Sequence, residues 1–151
     1  MLKYTLLGVL LVAITMVIHA VGTTFWLLYL GRKMRATVGP RRMGSTLTIL
    51  TATVVILTVL HTIQVLIWAF AYMHLLPETV LHTFEEATYF SFVTFTTLGY
   101  GDITFDGVWR VLSGIEALSG VLLIGWSTAM LFVVVQRTWK DILQQHADKQ
   151  D

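Results

Sequence analysis

The chain has 151 residues, 56% of them hydrophobic and only 13% charged, with a mean hydropathy of +0.74. A soluble domain of this length is nearer half apolar and a quarter charged, so the composition excludes an ordinary soluble enzyme and points to a membrane. The net charge of +1 gives no reason to expect a nucleic-acid partner, and the lack of cysteine excludes a disulfide framework or a thiolate metal site.

The first long apolar segment runs from Tyr4 to Leu30. Lys3 ahead of it is a weak echo of a secretory leader. The segment is too long for a leader core and carries no small-x-small cleavage site, so removal is not expected. The second segment runs from Ser45 to Leu76 and the third from Val108 to Gln136. A span needs about 20 apolar residues, and each segment exceeds that. Between the first two lie Arg32, Lys33, Arg35, Arg41 and Arg42 with no acid, which places that loop on the cytoplasmic side. The N-terminus then lies outside, and the tail with Arg137, Lys140 and Lys149 lies inside. The connection before the third span is acidic, with Glu78, Glu85, Glu86, Asp102 and Asp106, and faces outward. Tyr4, Trp68, Tyr72 and Trp109 fall near the outer interface. Trp26, Tyr29 and Trp139 fall near the inner one.

The stretch after the second span breaks the pattern. Pro77 can end the helix. Thr83-Phe-Glu-Glu86 reads as a capping box in which Thr83 accepts from the Glu86 amide and Glu86 returns to the Thr83 amide. The apolar run Phe84 to Thr96 reaches only about 20 Å as a helix, too short to span. It reads as a re-entrant half-helix, which is tolerated at membrane depth only where it lines a cavity.

At the end of that half-helix stands Thr96-Thr97-Leu98-Gly99-Tyr100-Gly101-Asp102. The string resembles the selectivity filter of potassium channels, TVGYG followed by Asp, with Leu in place of Val. The order of outer helix, pore helix, filter and inner helix from Ser45 to Gln136 is also that family's. The fold this implies is an all-α membrane protein with three transmembrane helices, a re-entrant pore helix and a filter loop, assembled as a tetramer. The chain divides into a peripheral helix (1–31), lying against the second span, a basic cytoplasmic loop (32–44), a pore domain (45–138) and a short cytoplasmic tail (139–151). Within the pore domain the outer helix is 45–76, the pore helix 83–96, the filter 97–101 and the inner helix 108–138.

By that resemblance, the carbonyls of Thr97, Leu98, Gly99 and Tyr100 face a central axis and hold K+, with Gly101 completing the filter. The Thr97 hydroxyl adds an inner ring. Alternating glycines allow the backbone dihedrals such an arrangement needs. One motif per chain implies a homotetramer with cyclic symmetry, in contact with the lipid bilayer. No cofactor is implied beyond the permeant ion, and no enzyme activity is expected. The filter's supports are Thr96, Asp102, Tyr89 and Val93. Tyr89 and Phe90 stand where the family commonly has tryptophan, and Val93 stands where some bacterial channels have glutamate. Phe90 cannot donate a hydrogen bond to Tyr100. Weak selectivity, or a non-conducting pore-like protein, are the competing readings.

Intramembrane Glu116, His19 and His61 are costly in lipid and mark a pairing or a pH sensor. Counted from the basic loop, His19 comes level with Glu116, so Glu116 either pairs with His19 or His61 behind the pore and makes the filter pH-sensitive, or makes a satisfied, purely structural polar contact, which is the favoured reading. Gly120 lies near the family's gating hinge, or allows close helix packing. Ser127 and Thr128 line the cavity or bond to preceding carbonyls. No span carries regularly spaced arginines, so no voltage sensor is expected. Short loops suggest a prokaryotic cell membrane.

Overall fold

The computed structural model describes residues 2–36, 43–76 and 81–147. It contains four helices: α1 (Leu2–Ala36), α2 (Met43–Leu75), α3 (Phe84–Phe95) and α4 (Trp109–Ala147). Three of these, α1, α2 and α4, are long and apolar enough to cross a membrane, and α3 is not. The chain is therefore an all-α membrane protein with one short helix between its second and third spans.

Two boundaries differ from the sequence expectation. α1 continues to Ala36, so Arg32, Lys33 and Arg35 ride on its last turns rather than in a loop. These residues with Met34 and Ala36 are good helix formers, and cations suit a helix C-terminus. α4 likewise continues to Ala147, through most of the expected tail. Arg41, Arg42, Pro77, Glu78 and Lys149 lie outside the described residues.

α1 was expected at the periphery against the second span. It packs on α4 as well as α2. Tyr4 meets Trp109 edge-on at 4.6 Å near one end. A Cβ on Gly8 would come within 2.9–3.2 Å of Ile115 and Leu112, and one on Gly22 within 2.6 Å of Leu60. Small residues bring the helices close where lipid offers no hydrophobic drive between them. Farther along, Leu30 packs with Ile49 and Val134, and Trp26 Nε1 donates to Thr53 Oγ1 at 3.0 Å.

The main core lies where α2, α3 and α4 meet. Trp68, Tyr72, Phe90, Phe95, Phe105 and Leu112 are buried there. Phe90 sits 4.1 Å from Phe105 and 5.2 Å from Tyr72, ring to ring. Inside the helices, the hydroxyls of Thr15, Thr23, Thr53 and Thr138 turn back to carbonyls one turn earlier, which satisfies them without water.

Gly120 fixes how α3 rests on α4. A Cβ there would collide with the Phe95 carbonyl, a backbone atom that cannot swing aside. The structure thus gives Gly120 a packing reason, at the very end of α3. Gly120→Ala is expected to destabilise the protein by about 1–3 kcal/mol despite a gain of up to ~1 kcal/mol in helix propensity. Gly31→Ala, which meets nothing within 4 Å, is expected to be neutral or stabilising. Thermal unfolding in detergent compares the two.

Candidate functional site

The site is built on α3. Thr83 caps the helix in an extended conformation, φ −135 and ψ 155, and its Oγ1 accepts from the Glu86 amide at 3.1 Å. The returning bond differs from the expected box. The Glu86 carboxylate accepts from the His82 amide at 2.8 Å, not from Thr83. The extended cap residue brings that preceding amide within reach of the side chain. Glu85 and Glu86 both lie in the first turn, against the positive end of the helix dipole.

At the other end, the backbone folds over the helix terminus. The Thr97 amide donates to the Thr94 carbonyl at 2.9 Å. The amides of Leu98 and Gly99 both donate to the Val93 carbonyl, at 2.9 and 3.3 Å. No peptide here is cis, and in a trans peptide the N–H and C=O point in opposite directions. The Leu98 amide shares its peptide with the Thr97 carbonyl, and the Gly99 amide with the Leu98 carbonyl. Two amides held against Val93 therefore turn the Thr97 and Leu98 carbonyls away from α3.

The dihedrals fit that picture. φ is +58 at Thr97, +56 at Gly99 and +79 at Gly101. Positive φ at alternate positions sends successive amides to one side. Glycine accepts this freely, but a β-branched residue does not. Thr97 is thus held in a strained conformation by its neighbours, as happens at functional sites. The glycines were legible in the sequence; the left-handed Thr97 was not. Within one chain, residues 96–102 are exposed, with Leu98 at 57% and Tyr100 at 67%.

A side-chain bond ties the C-terminal end of this segment to α3. Tyr89 Oη donates to Asp102 Oδ2 at 2.6 Å. This bond holds the Asp102 carboxyl below its ordinary range and pushes the Tyr89 hydroxyl above its own. Phe90 turns inward to Tyr72 and Phe105, so bracing within the chain comes from Tyr89. Val93 supports the segment through its backbone carbonyl. Thr96 back-bonds through Oγ1 to Phe92 O at 2.7 Å. Between α3 and the segment that follows it lies a groove of ≈ 230 Å³, lined by Tyr89, Phe90, Thr94, Gly101 and Asp102 among others.

Of the two readings of Glu116, the pairing with a histidine is not formed, and a satisfied polar contact takes its place. Glu116 is fully buried and accepts from Tyr72 Oη at 2.7 Å and from Ser91 Oγ. His19 and His61 instead engage Gln64 and Ser127. The reason is depth. Measured from the N-terminal ends of α1 and α4, His19 lies about 25 Å along, Ser127 about 27 Å and Glu116 only about 10 Å. The count from the basic loop misplaced His19 because α1, 35 residues and about 52 Å long, far exceeds a hydrocarbon core of about 30 Å, so height above its basic end does not give depth below the other end. Tyr72, Ser91 and Gln64 were missed as partners; Gln64, a lone amide in an apolar span, was the one visible signal.

A family model described as an ion channel matches residues 60–137, which includes α3, the segment 96–102 and most of α4. Searches of curated proteins and of solved structures return no match.

Tyr89→Phe removes the donor to Asp102. The depressed carboxyl stabilises the native state above the ordinary carboxylate range, and this contribution is lost as pH falls through the lowered value. In the variant, Asp102 is expected to titrate at higher pH than in the native protein. Carboxyl NMR of the labelled protein in both forms reads the shift.

Proposed function

This chain belongs to that ion-channel family, and we propose on that premise that it is one subunit of a homotetrameric, potassium-selective pore. The observation that carries the reading is the pair of amide bonds to Val93, which turns the Thr97 and Leu98 carbonyls outward from α3. Such carbonyls, contributed by four copies around an axis, replace the hydration shell of a potassium ion. Oxygen ligation suits a hard cation. The Gly99 and Tyr100 carbonyls and the Thr97 hydroxyl extend the column. The C-terminal end of α3 leads directly into this segment, so its negative dipole end favours a cation.

A single motif cannot close a ring, so the pore needs symmetric copies. Exposure of Leu98 and Tyr100 within one chain fits this, because large apolar side chains beside a permeation path are otherwise left to water. The basic ends of α1 and α4 face the cytoplasm in this reading, and the segment with Asp102 and Asp106 faces outward. Ions move down their gradient and no bond is made or broken.

The test is the reversal potential of the reconstituted protein with potassium on one side and sodium on the other. The expected value lies near the potassium equilibrium potential. Gly99→Ala, at φ +56, is expected to abolish that selectivity. A reversal near zero would assign a weakly selective cation pore. No current from a verified tetramer would assign a non-conducting membrane protein.

A further inference from the structure

Below the filter, two histidines close a hydrogen-bonded circuit across three helices. Gln64 Nε2 lies 3.0 Å from His19 Nδ1 and donates to the Thr15 carbonyl at 3.4 Å. Gln64 Oε1 lies 3.1 Å from His61 Nδ1. Ser127 Oγ lies 2.9 Å from His61 Nε2 and 3.1 Å from His19 Nε2. The proton positions follow from the donors and acceptors. The amide nitrogen donates, so His19 Nδ1 is bare and its Nε2–H donates to Ser127. The amide oxygen accepts from His61 Nδ1–H, so His61 Nε2 is bare and accepts the Ser127 hydroxyl. The bond to Thr15 fixes the amide's orientation. Every bond in the circuit has one hydrogen, and both rings are neutral.

A further proton fits at only one place. On His19 Nδ1 it would face an N–H across 3.0 Å, two donors without an acceptor. On His61 Nε2 it faces Ser127 Oγ, which has a second lone pair and a hydrogen free to rotate away. His61 is also half-buried, whereas His19 is fully enclosed. The His61 ring lies 5.8 Å from that of Phe95, the last residue of α3. A cation there meets an aromatic ring and the negative end of a helix dipole. The groups facing the pair are few. From α1 come His19 and Thr15, from α2 Gln64, from α3 Phe95, and from α4 Ser127 and Trp126, which is edge-on to His19 at 5.9 Å. His19, at 5.2 Å, is the titratable neighbour, and repulsion at that distance limits the circuit to one proton. Glu116 on α4 is about 16 Å away along the axis.

We propose that His61 is a proton-binding site that restrains cation passage: a proton on its Nε2 sets a positive charge under the C-terminal end of α3, where the filter begins, and opposes the permeant ion. This inference rests on the conducting reading above. Its direction is fixed by the geometry, since the added charge offsets the dipole end that favours the cation.

The experiment is potassium flux through liposomes carrying the full-length protein between about pH 8 and pH 5, the range in which histidine changes charge. Wild-type flux is expected to fall about tenfold on acidification. His61→Gln keeps an amide donor and acceptor at the site and is expected to hold its flux nearly constant. Ser127→Ala removes the acceptor for the added proton and is expected to move the midpoint to lower pH. A wild type indifferent to pH, or a His61→Gln profile identical to wild type, would overturn the proposal. Ring-nitrogen NMR of the histidine-labelled protein decides the proton site without any current. Expected is a doubly protonated His61 beside a neutral His19; His19 charging first, or neither charging, contradicts it. Absence of flux at every pH would count against the channel reading itself, and the nitrogen spectra would still decide the site.

Discussion

Everything about this fold turns on one carbonyl. A helix that stops at membrane depth leaves backbone groups that hydrocarbon cannot satisfy. Here the Val93 carbonyl takes two amides from the segment that follows α3, Leu98 and Gly99. The chain is thereby bent back along its own helix. The same two bonds decide which way the opposite edges of those peptides point. A local solution to the problem of a terminated helix thus produces an outward row of carbonyls, and Thr97 absorbs the conformational cost at φ +58.

The rest of the protein holds α3 still. Its N-terminal end is capped by Thr83 and Glu86, its middle by Ser91 and its far end by Gly120. Ser91 Oγ reaches both the Val65 carbonyl of α2 and Glu116 of α4. Glu116 in turn receives the Tyr72 hydroxyl, so a single buried carboxyl group joins three helices. Each polar group in that knot has a partner, the condition under which burial of such groups is tolerated. α1 adds a second layer through Gly8, Gly22 and Trp26, and reaches α4 at Ser127 through His19.

Much of this was legible in the sequence because it rests on strong local signals. Three apolar runs of spanning length, a Thr-x-x-Glu cap and a Gly-Tyr-Gly string need no tertiary knowledge. What was not legible depends on how helices sit against one another. Helix ends were misjudged where Arg32, Lys33 and Arg35 could extend α1 or form a loop with equal ease. The length of α1, 35 residues, sets His19 at the depth of Ser127 rather than that of Glu116. The strain at Thr97 had no sequence signal, since threonine does not seek that conformation. Glu86 chose His82 over Thr83 because the entering chain, not the motif, sets which amide is near.

In the proposed pore, the carbonyls turned out by Val93 meet around an ion. An experimental density map of the full-length protein, reconstituted in potassium, addresses it directly. Four chains around one axis, with density on that axis ringed by the Thr97 and Leu98 carbonyls, is the predicted result. Carbonyls turned back into the protein, or an assembly without an axis at residues 97–101, would contradict it.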